Sequence, residues 1–255
     1  MAEFIEGKRP VIEALRCGVP VKRVLLADNA KRDGLVEDIL RKAKAAGVEV
    51  QNLPRKRLDE LSKLGERDSH QGVMAETRPF RYLSGTEALR VSDEVAAEEG
   101  KGASLIVVLD HITDAGNFGA ILRSAEVLGA ACVVIPNKRS AFVTAATYKS
   151  SAGAASHIPV AQVSNLVQFL ENAKKAGYWV AGASEHAKEA IWESNLSGKM
   201  VLVLGNEGEG VSRIVLEACD LLIRIPQTGK VESLSVAQAA SVCIYEWVRQ
   251  NGSHD

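Results

Sequence analysis

The chain has 255 residues, 46% of them hydrophobic and 5% aromatic, with a formal net charge of −1. That length allows one large domain or two modest ones, each with an aliphatic core. Its longest apolar stretches, such as residues 105–109 and 201–204, fall well short of the roughly 18 residues a membrane helix needs.

From the N-terminus, MAEFIEGKRP carries charges where an export signal needs an apolar run, so no export is expected. PVIEALR reads as a short amphipathic helix, VKRVLLAD as a strand, and LVEDILRKAKAAG as a helix stopped by Gly47. VEVQNL follows as a strand, RLDELSKL as a helix and QGVMAE as a third strand. Residues 1–78 therefore predict a small α/β sandwich. Residues 1–80 hold 16 Lys and Arg against 13 Asp and Glu, an excess of 16 − 13 = +3 that permits a nucleic-acid partner without demonstrating one. Lys8, Arg9, Lys22, Arg23 and the cluster Arg55, Lys56 and Arg57 are the candidate RNA contacts, although for any single one a solvated helix face is the blander reading.

Residues 79–103 contain Pro79, an acidic run and Gly100-Lys101-Gly102, and read as a linker with one exposed helix. From Ser104 longer, more apolar strands alternate with helices. The strands are LIVVLD, ACVVIP, IPVAQV, YWVAGA, KMVLVLG and LLIRIP; the helices run from Asn117 to Leu128, through TAATYKSSAGA, through NLVQFLENAKKAG, and from Leu234 to about Arg249. Such alternation predicts a mostly parallel sheet covered on both faces, here spanning 104–255. Cys17, Cys132, Cys219 and Cys243 lie far apart without CxxC spacing, and fit buried thiols in a reducing, cytoplasmic setting.

Three segments carry candidate chemistry. After VLVLG comes GNEGEG, Gly205 to Gly210, a loop whose glycines let backbone approach a ligand closely. No GK[ST] follows, so it is not a P-loop, and its glycine spacing is not that of the dinucleotide fingerprint. A tight strand-to-helix turn explains the glycines equally well; Asn206 and Glu207 at its tip have no evident packing role. Second, LDHITDAGNFGAILRSAE places Asp110 and Asp114 after a buried strand, Asn117 as a plausible helix cap and Arg123 on an otherwise apolar helix. That arginine either snorkels to solvent or aims at a phosphate or ribose at the sheet's carboxyl edge, where open α/β folds bind ligands. Third, IPQTGKVESLSVAQAAS puts Ser233 before a small-residue helix, where it would serve at least as a cap.

In order and spacing these segments resemble the three motifs of the SpoU-type RNA 2′-O-ribose methyltransferases (the TrmH family of the SPOUT superfamily). NFGAILRSA is similar to the first motif, VLVLGNEGEG to the second and IPQTGKVESLSV to the third. EGKRPVIEALR and SHQGVMAE resemble the family's small N-terminal RNA-binding domain. The resemblance implies an α/β chain with an RNA substrate-binding domain over 1–78, a linker over 79–103 and a trefoil-knotted methyltransferase domain over 104–255. It implies S-adenosylmethionine as cofactor, cupped by backbone at Leu204, Gly205, Asn206, Gly208, Gly210, Ile225, Gln227 and Leu234. It further implies catalytic roles for Arg123, Asn117, Glu207 and Ser233, and no metal. Ala115 stands where the family usually has Pro, and Ser235 where it usually has Asn; Ser offers one short hydroxyl in place of an amide's two groups.

The implied reaction is attack of a ribose 2′-hydroxyl on the donor's methyl. Family proposals make the first-motif arginine the base, but a guanidinium with a pKa above about 12 stays charged in a protein. Arg123 therefore reads as a residue that positions phosphate and stabilises the developing alkoxide, with Asn117, Glu207 and Ser233 orienting it and the ribose. A guanosine of large-subunit rRNA is the expected target. A tRNA ribose, or a catalytically weakened RNA-binding assembly factor, are the alternatives. A nicotinamide oxidoreductase is disfavoured, because no glycine-rich turn follows the first strand of that domain. A homodimer is expected as well, both from the resemblance and from a stripe on the last helix (Val236, Ala239, Ala240, Cys243, Ile244, Trp247) with Trp247 as anchor.

Overall fold

The computed structural model describes residues 3–62, 70–98, 102–206, 208–230 and 233–252. The chain divides into two compact units, the first formed by residues 1–81 with 143–156 and the second by 82–142 with 157–255.

In the first unit a four-stranded sheet has the order β1 (Glu3–Glu6), β4 (Val73–Thr77), β2 (Val21–Ala27), β3 (Glu49–Leu53). β2 and β3 run parallel, and β4 runs antiparallel to both β1 and β2. Helices α1 (Lys8–Arg16), α2 (Gly34–Ala45) and α3 (Arg55–Leu61) accompany it. α2 shows how sequence dictates such an element. Val36, Ile39 and Ala43 recur on one face and are buried, Asp33 caps the start by accepting from Leu35 N and Val36 N, and Gly47 at φ +65° ends it. The strand β1 was not legible in the periodicity, being only four residues in which two adjacent apolar side chains lie between two glutamates. The segment 143–156, with α6 (Ala145–Ser150), belongs to this unit and not to the sheet that flanks it in sequence.

The second unit is a seven-stranded parallel sheet in the order β7 (Val160–Val163), β6 (Cys132–Pro136), β5 (Ser104–Asp110), β10 (Lys199–Gly205), β8 (Trp179–Ala183), β11 (Leu221–Arg224), β9 (Glu189–Ala190). Every residue of β5 is buried, as its unbroken apolar run requires of a strand covered on both faces. α4 (Gly85–Glu98), α5 (Ala115–Val127), α7 (Leu166–Lys175), α8 (Arg213–Glu217) and α9 (Val236–Asn251) complete it. α4 lies in the stretch read from sequence as a linker, yet Ala88, Ser92 and Ala96 at spacings of four are buried against β5, β6 and β7. β10 inserts between β5 and β8, and its register pairs Gly205 with Asp110. The loops that leave β5 and β10 therefore emerge side by side at the carboxyl edge.

Among the described residues no helix is long and apolar enough to cross a membrane.

Candidate active site

The loop after β10 folds back onto its own strand. Gly210 N donates to Asn206 O at 3.0 Å, and Asn206 Oδ1 accepts from Gly208 N at 2.9 Å and Glu209 N at 2.7 Å. The Asn206 side chain thus holds the turn together, which supplies the packing reason its sequence context did not reveal. A Cβ on Gly205 would fall 1.9 Å from the Gly210 carbonyl carbon, so the first glycine is required by the loop's own backbone. Gly210 sits at φ +68°, where glycine avoids the strain of a side chain. Gly208 differs: its Cβ would meet nothing closer than Asn206 Oδ1 at 3.5 Å, and its φ is not left-handed. The fold does not demand glycine there.

Asp110 supports this loop from β5. It is 1% exposed, its Oδ2 accepts from Ser212 N at 2.7 Å, and its Oδ1 bonds His111 Nδ1. A carboxylate so placed satisfies one end of the loop and fixes one imidazole nitrogen. His111 adopts φ +58° and Arg139, in the loop after β6, φ +51°; a non-glycine residue held there costs about 1–3 kcal/mol. Between these loops lies a cleft of about 720 Å³. Asn206, Gly208, Glu209 and Gly210 line it together with His111, Asp114, Asn117 and Arg139.

Helix α5 begins at Ala115, and its cap is Asp114, whose Oδ1 accepts from Asn117 N at 2.7 Å. Asn117, expected to be that cap, is instead the third residue of the helix, and it lines the cleft. The same correction applies to the third motif. Ser235 caps α9, its Oγ accepting from Gln238 N and Gln238 Oε1 accepting from Ser235 N, so the helix starts at Val236 rather than Leu234. Ser233 is exposed outside it.

The cleft gathers Asn117, Asn206, Gly208 and Gly210. Leu204 is buried in β10 and Gly205 lies behind the loop. Arg123 is exposed further along α5, has no ion pair among the described residues, and is not among the residues lining this cleft. Gln227, Ser233 and Leu234 are exposed and also lie outside its lining. Ile225 borders a separate groove of about 450 Å³ with Trp192, Val242 and Tyr245. Glu207 lies outside the described residues. Sequence reading passed over His111 and Arg139, because a left-handed backbone at a residue other than glycine leaves no compositional mark.

The stripe on α9 packs on its own unit. Val236, Ala240, Cys243, Ile244 and Trp247 are buried, and Trp247 Nε1 donates to Gly198 O at 3.2 Å. Trp247 is therefore not an exposed anchor; the large residues α9 exposes are Val242 and Tyr245.

The chain matches the SpoU rRNA Methylase family over residues 104–245, and the RNA 2′-O ribose methyltransferase substrate-binding family over residues 4–83. It belongs to the SpoU family of RNA methyltransferases. A Bacillus subtilis protein assigned by name to the TrmH family of tRNA/rRNA methyltransferases is 36% identical over 250 residues, covering 97% of this chain and 96% of that protein. A similarly named Staphylococcus aureus protein is 37% identical over 253 residues, covering 98% and 96%. Among solved structures, the SpoU methyltransferase AviRb from Streptomyces viridochromogenes, in complex with AdoMet, superposes with a TM-score of 0.69 at 27% identity. It covers 100% of this chain and 92% of that one. The α/β architecture of this SpoU chain, an N-terminal substrate-binding domain followed by the methyltransferase domain, agrees with that expected from its motifs.

Proposed function

We propose that the chain transfers a methyl group from S-adenosylmethionine to a ribose 2′-hydroxyl of RNA, at a guanosine of large-subunit rRNA. The observation that carries the donor assignment is Gly208, a glycine required neither by packing nor by backbone angle, on the wall of a cleft at the joined ends of β5 and β10. A bare backbone wall is what a closely approaching nucleoside needs. The cleft's size is in the range for cofactor sites, about 300–1,000 Å³, and the carboxylates of Asp114 and Glu209 on its lining complement a sulfonium cation. When bound, the donor supplies an electrophilic methyl group.

The chain's own residues supply position and charge. Loop 204–210 offers backbone donors and acceptors to the donor, and the family resemblance adds Ile225, Gln227 and Leu234. Asn117, on the lining of the same cleft, is placed to hydrogen-bond a ribose. The exposed guanidinium of Arg123 holds an RNA phosphate and stabilises developing negative charge while staying protonated. Glu207 and Ser233 complete the set that the resemblance implies, and the trefoil knot is part of the same reading. Residues 1–78 serve as the RNA-holding domain. Four free thiols suit a reducing cytoplasm. Homodimer formation is part of the proposal too, through the exposed apolar face of Trp192, Val242 and Tyr245.

The test is transfer of labelled methyl from S-adenosylmethionine to isolated RNA, with 2′-O-methylation mapped by resistance to alkaline cleavage. One modified guanosine in large-subunit rRNA is expected. Arg123→Ala should lower turnover on the order of a hundredfold with donor affinity unchanged. Modification of tRNA alone would replace the rRNA assignment, and donor binding without transfer to any RNA would leave an assembly factor.

A further inference from the structure

The cleft has a neighbour. A second hollow of about 250 Å³ opens beside it, reaching Asn137, Lys138, Ser164 and Asn165 in the loops after β6 and β7. The two hollows share Asp110, His111, Arg139, Ser212 and Ile214, so Arg139 stands on the divide between them. Asp110 is the one carboxylate on the second hollow's lining, and both its oxygens are engaged, one by Ser212 N and the other by His111. Lys138 and Arg139 are exposed and have no ion pair among the described residues. The hollow therefore presents two cations without an ion pair among the described residues, two amides and two hydroxyls.

Arg139 is also held in place at a cost. Its φ of +51° is one that glycine or asparagine adopts more easily, and of the four described non-glycine residues with positive φ, two, His111 and Arg139, lie on this cleft. The loop is anchored on both sides: Asn137 N donates to Val163 O at 2.9 Å, and Ala141 N to Ile112 O at 2.7 Å. A strained arginine in an anchored loop marks a position where the side chain matters more than backbone ease.

We propose that the second hollow is a subsite for the nucleotide flanking the methylated one, and that Arg139 clamps the phosphodiester joining the two. A guanidinium on the divide meets the phosphate bidentately, which fixes the target ribose against Asn117. This rests on RNA being the substrate. Arg139 is a positioning residue: it sets where the ribose lies and takes no part in proton or methyl movement.

Arg139→Gly and Arg139→Asn both suit a left-handed backbone, so both should melt at or above the wild-type temperature. Binding of a fluorescein-labelled single-stranded oligoribonucleotide, followed by anisotropy without donor, should weaken roughly tenfold. Its dependence on the logarithm of salt concentration should lose about one unit of slope. In methyl transfer the KM for RNA should rise more than kcat falls, with donor affinity unchanged. Arg139→Lys should keep the salt slope and recover part of the affinity. Wild-type RNA affinity and salt slope in a folded Arg139→Gly would overturn the proposal. A wild-type protein that binds no RNA would overturn the substrate reading beneath it, so the two failures are distinguishable.

Discussion

The two units use their polar residues differently. In the methyltransferase unit, the loop after β10 is fixed by contacts within itself and by Asp110 beneath it, leaving backbone and the bare Gly208 wall facing the cleft. In the substrate-binding unit, most of the basic residues that suggested an RNA face are engaged by acids. Lys8 pairs with Asp33 at 2.7 Å, Arg57 with Glu60 at 2.7 Å, and both Lys22 and Arg23 with Glu76. Arg9, Arg55 and Lys56 are exposed and have no ion pair among the described residues. A charged residue in a sequence is thus not yet a charge offered to a ligand; burial and partner decide.

The largest expected effect probes the loop. Gly205→Val places side-chain atoms where the Gly210 backbone already is, and should cost about 3 kcal/mol or more as well as donor binding. Thermal denaturation alongside donor titration checks it; a variant of wild-type stability would mean that the loop is not packed as described.

Next in size is the charge distinction between basic residues. Replacing Arg55 and Lys56 together with Ala should weaken RNA binding and reduce the salt slope by about two, whereas Lys22→Ala should mainly lower stability. Equal RNA-binding losses in both variants would erase the distinction. Glu76 sharpens it further. The side-chain hydrogen bond from Lys22, then that from Arg23, holds its carboxyl below the usual carboxylate range against the opposing effect of burial. A depressed native pKa stabilises above the unfolded value and is lost as pH falls through the native one. Glu76→Gln should therefore be less stable than wild type at neutral pH, with the gap closing below about pH 4. Urea unfolding across that range reads it directly.

The smallest expected effect is at Ser235. Because it caps α9 through its hydroxyl, and Ser and Asn cap about equally well, Ser235→Asn should shift stability by less than about 0.5 kcal/mol. Any larger change in methyl transfer would then report contact with substrate or donor.

These residues also show what the sequence could and could not reveal. The parallel sheet was legible because fully buried strands must be apolar throughout, as in β5 and β10. The small N-terminal unit was legible from helix periodicity and from Gly47. Helix starts were placed two residues off at both α5 and α9, since several adjacent Ser, Asn or Asp residues could each cap and only backbone geometry chooses Asp114 and Ser235. The transfer of 143–156 to the first unit depends on tertiary contacts that no local pattern encodes. Within the site, Gly205, Gly208 and Gly210 read alike as glycines, yet one is required by a close approach, one by its φ and one by neither.

That last difference yields the most direct test. Calorimetric titration of S-adenosylmethionine into wild type and Gly208→Val, with melting temperatures measured for both, isolates the bare wall from the fold. The wild-type chain should bind one donor, and Gly208→Val should melt with it while losing donor affinity on the order of tenfold or more. A folded Gly208→Val that binds the donor as tightly as wild type would contradict the placement of the donor in this cleft.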